Sequence, residues 1–309
     1  MTNAPHILVI GAASVDVKGR AYKDLHTGSS VPGDITLSFG GVARNVAENL
    51  ARLGQPTVLI SAVGRDPFGA QILEYTARTG VNVENIIVSP DHHSAAYLAV
   101  SDAQGSPAVA IDEMDIIDAV TPAHLYRNRA LFKGAAMLVM DANLSAGALA
   151  SAIRSAQRYQ VPVAVDPTSP TLAGKLREHL AGLAMTMPNV AEAEVLCGHA
   201  ISGREGAMAA AQELVALGVE TAIVTLGEEG LCYATARESG YVPAIRCEVV
   251  DFTGAGDALT AAVVYGLVNG FSTGEAMRLG VSAATLTLRC ADTVCPTLSL
   301  ERLYDQLVI

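Results

Sequence analysis

Five short apolar runs constrain what this chain can fold into more than any other feature. They are residues 6–10 before Gly11, 136–140 before Asp141, 161–165 before Asp166, 183–187 before Pro188 and Asn189, and 221–226 before Gly227. Each has the length of a strand and too little alternation for a sheet with one wet face. Helical stretches at 145–159, at 190 onward and at 203–217 separate them, the last opened by a Ser202–Glu205 capping-box pattern. That βαβα order predicts an α/β fold: a doubly wound sheet with helices on both faces, closed by helices at 275–288 and 298–307.

Two segments break the alternation. Residues 15–39 carry short alternating pieces between turn residues, and residues 94–112 resemble them, with a turn at Gln104–Gly105. The spacing predicts two strand insertions, about 15–39 and 94–112, forming a small β lid on a single domain that spans 1–309. Their apolar residues, among them Ile35, Leu37, Leu98, Val100, Val109 and Ile111, are more than a small flap can hide, which predicts a homodimer through the lid.

The 309 residues are half hydrophobic and only 17% charged, a composition that buries a large core. A formal charge of −11 argues against nucleic-acid polymers and acidic membranes as partners. No apolar run approaches the ~18 residues of a membrane span, and the N-terminus has no signal-like region. Five cysteines without a C-x-x-C pair read as reduced, so the expected location is cytoplasmic.

The chemistry concentrates in Asp251-Phe-Thr-Gly254-Ala255-Gly256-Asp257, followed by an apolar helical run. Glycines before a helix N-terminus let successive N–H groups converge on one point, and the helix dipole favours negative charge there. An aspartate in that place repels a resting phosphate. It makes sense as a base taking a proton from a group that attacks phosphorus. Two alternatives stand beside this reading: Asp257 as a plain helix cap, and a dinucleotide fingerprint scored on Gly254, Gly256 and Ala261. The acidic strand end that such a fingerprint needs about 20 residues on is missing. Earlier, Gly40 and Gly41 open a helix that carries Asn45 in its first turn, and Ser14 and Asp16 follow the first strand. Strand ends are where open α/β sheets bind ligands, although a turn aspartate would look the same. No G-x-x-x-x-G-K-[ST] occurs, so a P-loop is absent.

The D-x-x-G-A-G-D of 251–257 and the G-G-x-x-x-N-x-A-x-x-x-x-x-L-G of 40–54 resemble, in order, the two signatures of the ribokinase-like (PfkB) carbohydrate kinases. The resemblance implies an ATP- and Mg2+-dependent phosphotransferase with an alcohol acceptor. It implies Asp257 as base, with Gly254, Ala255 and Gly256 holding the transferring group. Ser14, Asp16, Gly40, Gly41, Asn45, Tyr97 and Asn143 fall to the acceptor, and Asn189, Thr225, Gly227 and Gly230 to the nucleotide. Glu192 would order Mg2+ through water. Asp251, read as a strand end supporting the turn, is the one candidate near a monovalent cation such as K+, although loop 289–292 matches no such motif. A vicinal diol at Asp16 means a sugar or nucleoside acceptor. Segments 11–17, 40–45, 141–145 and 202–205 resemble the branch of the family acting on pseudouridine, with Asn143, Ser94 or Tyr97 as readers of the base. Ribose and other nucleosides are the alternatives, and a non-catalytic sensor or an NAD enzyme the different classes.

Overall fold

The computed structural model describes residues 5–26, 28–104 and 106–307, so the expected turn at Gly105 lies outside the described residues. In chain order, β1 (His6–Ile10) leads into β2 (Ser14–Ala21) and β3 (Gly33–Gly40), then α1 (Val42–Arg52). Next come β4 (Thr57–Ile60), β5 (Ala62–Gly64), α2 (Pro67–Arg78) and β6 (Ile87–Ser89), followed by β7 (Ala95–Ser101) and β8 (Pro107–Glu113). Short helices α3 (Pro122–Arg127) and α4 (Ala130–Lys133) precede β9 (Ala135–Asp141), α5 (Ala146–Arg158), β10 (Val163–Asp166) and α6 (Pro170–Ala173). The chain continues through β11 (Met185–Thr186), α7 (Val190–Cys197), α8 (Gly203–Ala216), β12 (Thr221–Thr225), β13 (Leu231–Thr235) and β14 (Ser239–Val242). It ends with α9 (Ala255–Val268), α10 (Thr273–Leu288) and α11 (Leu300–Leu307).

The main sheet has the order β14-β13-β12-β11-β10-β9-β1-β4. From β4 to β12 every pairing is parallel, and β13 and β14 add an antiparallel hairpin at one edge. Every residue of β1 is buried, as its unbroken apolar run requires. Ile7 and Val9 face a core shared with Val46 and Leu50 of α1, Val263 and Val264 of α9 and Met277 of α10. Leu8 and Ile10 face the opposite core, with Leu149 and Ile153 of α5 and Leu214 of α8. Helices therefore cover both faces, and the expected doubly wound α/β sheet is present. The strand order reverses between β1 and β9, which opens a crevice at their carboxyl ends.

Two local expectations fail. Ser202 precedes α8 but makes no side-chain cap, because the positive φ of 63° at Gly203 turns the chain away from a capping-box geometry. Asp251 ends no strand; residues 243–253 run irregularly into α9.

The inserted strands form a separate four-stranded sheet, β3-β2-β7-β8, with β2 and β7 parallel. Its register sorts side chains by face. Ser38, Asp16, Tyr97 and Asp112 form one cross-strand row, and Leu37, Val17, Leu98 and Ile111 form the next row, on the other face. No helix among the described residues is long and apolar enough to cross a membrane.

Candidate active site

The carboxyl ends of β9 and β10 deliver Asp141 and Asp166, β2 delivers Asp16 and the first turn of α9 delivers Asp257. Gly254 caps α9 with φ 81°, and a Cβ there would sit 1.8 Å from the Thr293 carbonyl oxygen. Only glycine fits. Around Gly256, by contrast, an added Cβ would meet no atom within 4 Å. The first turn of α9 therefore borders open space beside Asp257, room that an anion held by a helix N-terminus requires.

A cavity of about 170 Å3 joins three of the expected motifs, with Asn189, Glu192, Thr225, Gly256 and Asp257 all on its wall. Asp166 also lines it and was not expected from the sequence, although its place at the end of an apolar run is the signal that finds it. A larger cavity of about 370 Å3, lined by Val242, Ile245 and Val281 among others, shares none of these residues.

Asp257 is 9% exposed, and burial pushes its pKa up to about 7. The hydrogen bond that Asn45 Nδ2 donates to its Oδ2 (2.6 Å) and the Arg44 charge oppose this, while Asp141 and Asp16 add to it. Asp166 lies well above the carboxylate range through burial and the charges of Asp257 and Glu192. Asp16 and Glu192 are also raised, mainly by burial. Asp141 is buried and raised too, yet its oxygens accept from the N–H groups of Ala12 (2.8 Å), Ala43 (3.0 Å) and Asn143 (3.0 Å). It ties the loop after β1 to the start of α1.

On the acceptor side, Ser14 Oγ donates to Asp16 Oδ1 at 3.1 Å. A Cβ on Gly40 would fall 2.2 Å from that same oxygen, so the glycine pair makes room for the carboxylate. Gly41 caps α1 and Tyr97 stands half-buried beside Asp16 in the cross-strand row. Asn45, expected to meet a sugar hydroxyl, has its amide bridging Arg44 and Asp257. Asn143 donates to Asp141 through backbone and side chain. Ser94, the other candidate on the lid, is held by its own chain. Its hydroxyl donates to Asp66 Oδ1 (2.8 Å) and accepts from Gly64 N–H (2.9 Å), and it is 3% exposed.

On the nucleotide side, Asn189 and Glu192 form a reciprocal capping box on α7, with three hydrogen bonds of 2.9 Å. The plain capping role is thus realised, on the wall of the same cavity. Gly227 and Gly230 bound the turn that folds β13 back on β12, Gly230 at φ 107°. Asp166 and Glu192 put two carboxylates on one cavity wall, oxygen donors of the kind a hard divalent cation takes. Asp251, the candidate near a monovalent cation, is engaged by groups of its own chain. Its Oδ2 takes the Lys18 ammonium at 2.6 Å and its Oδ1 the Thr253 N–H at 2.8 Å. Although burial pushes it up, those bonds hold its carboxyl below the usual range. Lys18, which also donates to Thr253 Oγ1 (2.7 Å), and Arg44 are the two site cations the sequence reading left unused.

A switch-point crevice, a glycine-capped helix N-terminus and a buried aspartate beside it define a phosphotransferase with an alcohol group as acceptor. The chain belongs to the pfkB family of carbohydrate kinases, whose profile matches residues 4–298. It is 35% identical to the pseudouridine kinase of Escherichia coli over 99% of this chain and 97% of that one. It is 33% identical to a guanosine-inosine kinase of Exiguobacterium acetylicum, over 90% and 92%. A ribokinase of Arabidopsis thaliana, solved with ribose and ATP, superposes with a TM-score of 0.88 at 22% identity, each chain covered to 99%.

Proposed function

We propose that this protein transfers the γ-phosphoryl group of ATP to the 5′-hydroxyl of a nucleoside, pseudouridine first among them. The observation that carries the reading is Asp257, buried beside the open N-terminal turn of α9 in a cavity shared with Asn189, Glu192 and Thr225. A sugar hydroxyl is too weak an acid to ionise beforehand, so Asp257 accepts its proton as the new O–P bond forms. The N–H groups at Gly254, Ala255 and Gly256 hold the transferring oxygens, with the helix dipole behind them. Asp16 fixes the ribose diol, and the β2–β3 and β7–β8 strands act as a lid over it. Asn189, Thr225, Gly227 and Gly230 line the nucleotide phosphates. Glu192, with Asp166, would hold Mg2+ through its waters, and the ion neutralises charge on the phosphates when bound.

The acceptor rests on the 35% likeness to a pseudouridine kinase along nearly the whole chain. The guanosine-inosine kinase at 33% makes a purine nucleoside the second reading, and ribose the third. Asn143 and Tyr97 are the candidates for reading the base. One panel tests the assignment: kcat/KM for pseudouridine, uridine, guanosine, inosine and ribose with ATP and Mg2+. Pseudouridine is expected to lead. Guanosine or ribose in front would defeat the acceptor and leave the kinase standing, and transfer to none would defeat both.

A further inference from the structure

Asn45 has a charged neighbour at each end of its amide. Its Nδ2 donates to Asp257 Oδ2 at 2.6 Å and its Oδ1 accepts from Arg44 Nη2. Turned over, the amide would set NH2 against a guanidinium and oxygen against a carboxylate. The two neighbours therefore admit one orientation.

Arg44 is itself held on every side. It is 1% exposed, and Nε donates to the Gly40 carbonyl (2.9 Å), Nη1 to Glu48 Oε2 (2.6 Å) and Nη2 to the Phe39 carbonyl (2.7 Å). Thr293, whose carbonyl packs on Gly254, lies 3.4 Å from Nη2 through its hydroxyl. Glu48, fully buried, is gripped a second time by Arg52 through Nε (2.9 Å) and Nη2 (2.7 Å). A buried Arg–Glu pair is a poor source of net stability, which points to another reason for placing a guanidinium here. Only a planar fork of N–H donors reaches the root of the small sheet, α1 and the Asn45 oxygen together.

We propose that Arg44 is a positioning residue for proton transfer: by holding the Asn45 oxygen it commits the Asn45 NH2 to Asp257, keeping that carboxylate aimed and ionised. This rests on reading Asp257 as the base. The charged groups around Asp257 are Arg44 from α1, Asp16 from β2, Asp141 from β9 and Asp166 from β10, with Glu192 of α7 on the same cavity wall. All but Arg44 are acidic. The bond from Asn45 is the largest influence opposing the burial that drives Asp257 upward. Without the guanidinium the amide is free to turn, and Asp257 keeps its proton to higher pH.

The test is kcat against pH, at saturating ATP, Mg2+ and the best acceptor of the panel, for Arg44→Met, Arg44→Lys and Asp257→Asn. For Arg44→Met the acid limb is expected to move up by about one pH unit, so a roughly tenfold loss near pH 6 all but disappears near pH 9. ATP affinity by calorimetry should stay within about threefold of wild type. Arg44→Lys keeps the charge and loses the fork, so its limb should shift in the same direction. A folded Arg44→Met whose loss is equal at all pH values, or absent, overturns the proposal. So does an Arg44→Lys profile that overlays wild type, and this variant decides alone if Arg44→Met does not fold. Asp257→Asn separates the premise: near-wild-type kcat there removes the base assignment itself, whatever Arg44 does.

Discussion

At the scale of single residues, Asp257 sets two opposed demands. As a base it works ionised, and burial pushes its pKa up to about 7. The kcat/KM of the free enzyme is therefore expected to fall about tenfold per pH unit below 7 and to level off above about 8. Asp257→Asn should lower kcat by roughly 10²–10⁴ with little change in ATP affinity. The same burial costs stability. Between about pH 4 and 7 the folded state keeps a proton that the unfolded chain, with a carboxyl near 3.9, has lost. Stability therefore falls as pH rises through that window, by at most about 4 kcal/mol. Asp257→Asn is expected to melt a few degrees above wild type at pH 8 and level with it near pH 4, measured by circular dichroism. An unchanged melting temperature at pH 8 would mean that Asp257 is not strained by its burial.

Two helix starts carry the site at the scale of elements, and they fail in different ways. Gly254 has φ 81° and a carbonyl oxygen where its Cβ would be, so Gly254→Ala must move either α9 or the Thr293 loop. It should lose phosphoryl transfer and cost at least about 1–3 kcal/mol in urea unfolding. At α7 the capping box and the cavity wall use the same two residues. Glu192→Gln preserves the cap geometry and removes the charge. It should raise the Mg2+ concentration needed for half-maximal rate while shifting unfolding by less than about 1 kcal/mol. Removing divalent cations with a chelator should stop transfer by the wild type. A Glu192→Gln enzyme with an unaltered Mg2+ requirement would leave Glu192 a capping residue alone.

For the whole molecule, the small sheet presents its site row to the crevice and its apolar row outward. Ile35 is 79% exposed, Val109 54% and Ile111 61%, with Leu37 and Leu98 beside them. Five aliphatic side chains on one face form a patch that water does not favour. A second copy of the same face would cover it, and we propose on that ground a homodimer through the lid with closed two-fold symmetry. Sedimentation at micromolar protein is expected to show a dimer, and Ile111→Lys a monomer with reduced kcat/KM. Full activity from a wild-type monomer would remove the dimer.

How much of this was legible depends on whether a signal is local. Apolar runs ending at Asp141, Asp166 and Asn189 write the parallel sheet into the chain, because a strand buried on both faces has no polar position to spare. Gly254, Gly256 and Asp257 announce a phosphate-facing turn, since backbone conformation is a property of neighbours in sequence. What the chain order leaves open is how side chains from distant elements satisfy one another. The bond from the Asn45 amide to Asp257, 212 residues away, is of that kind. So are the hold of Asp66 and Gly64 on the Ser94 hydroxyl and that of Lys18, from the small sheet, on Asp251. The sequence alone determined the layers and the glycine turn that opens α9. Only the tertiary structure decided which carboxylates are pushed up and which held down, because desolvation and the pairing of buried groups depend on what packs around them.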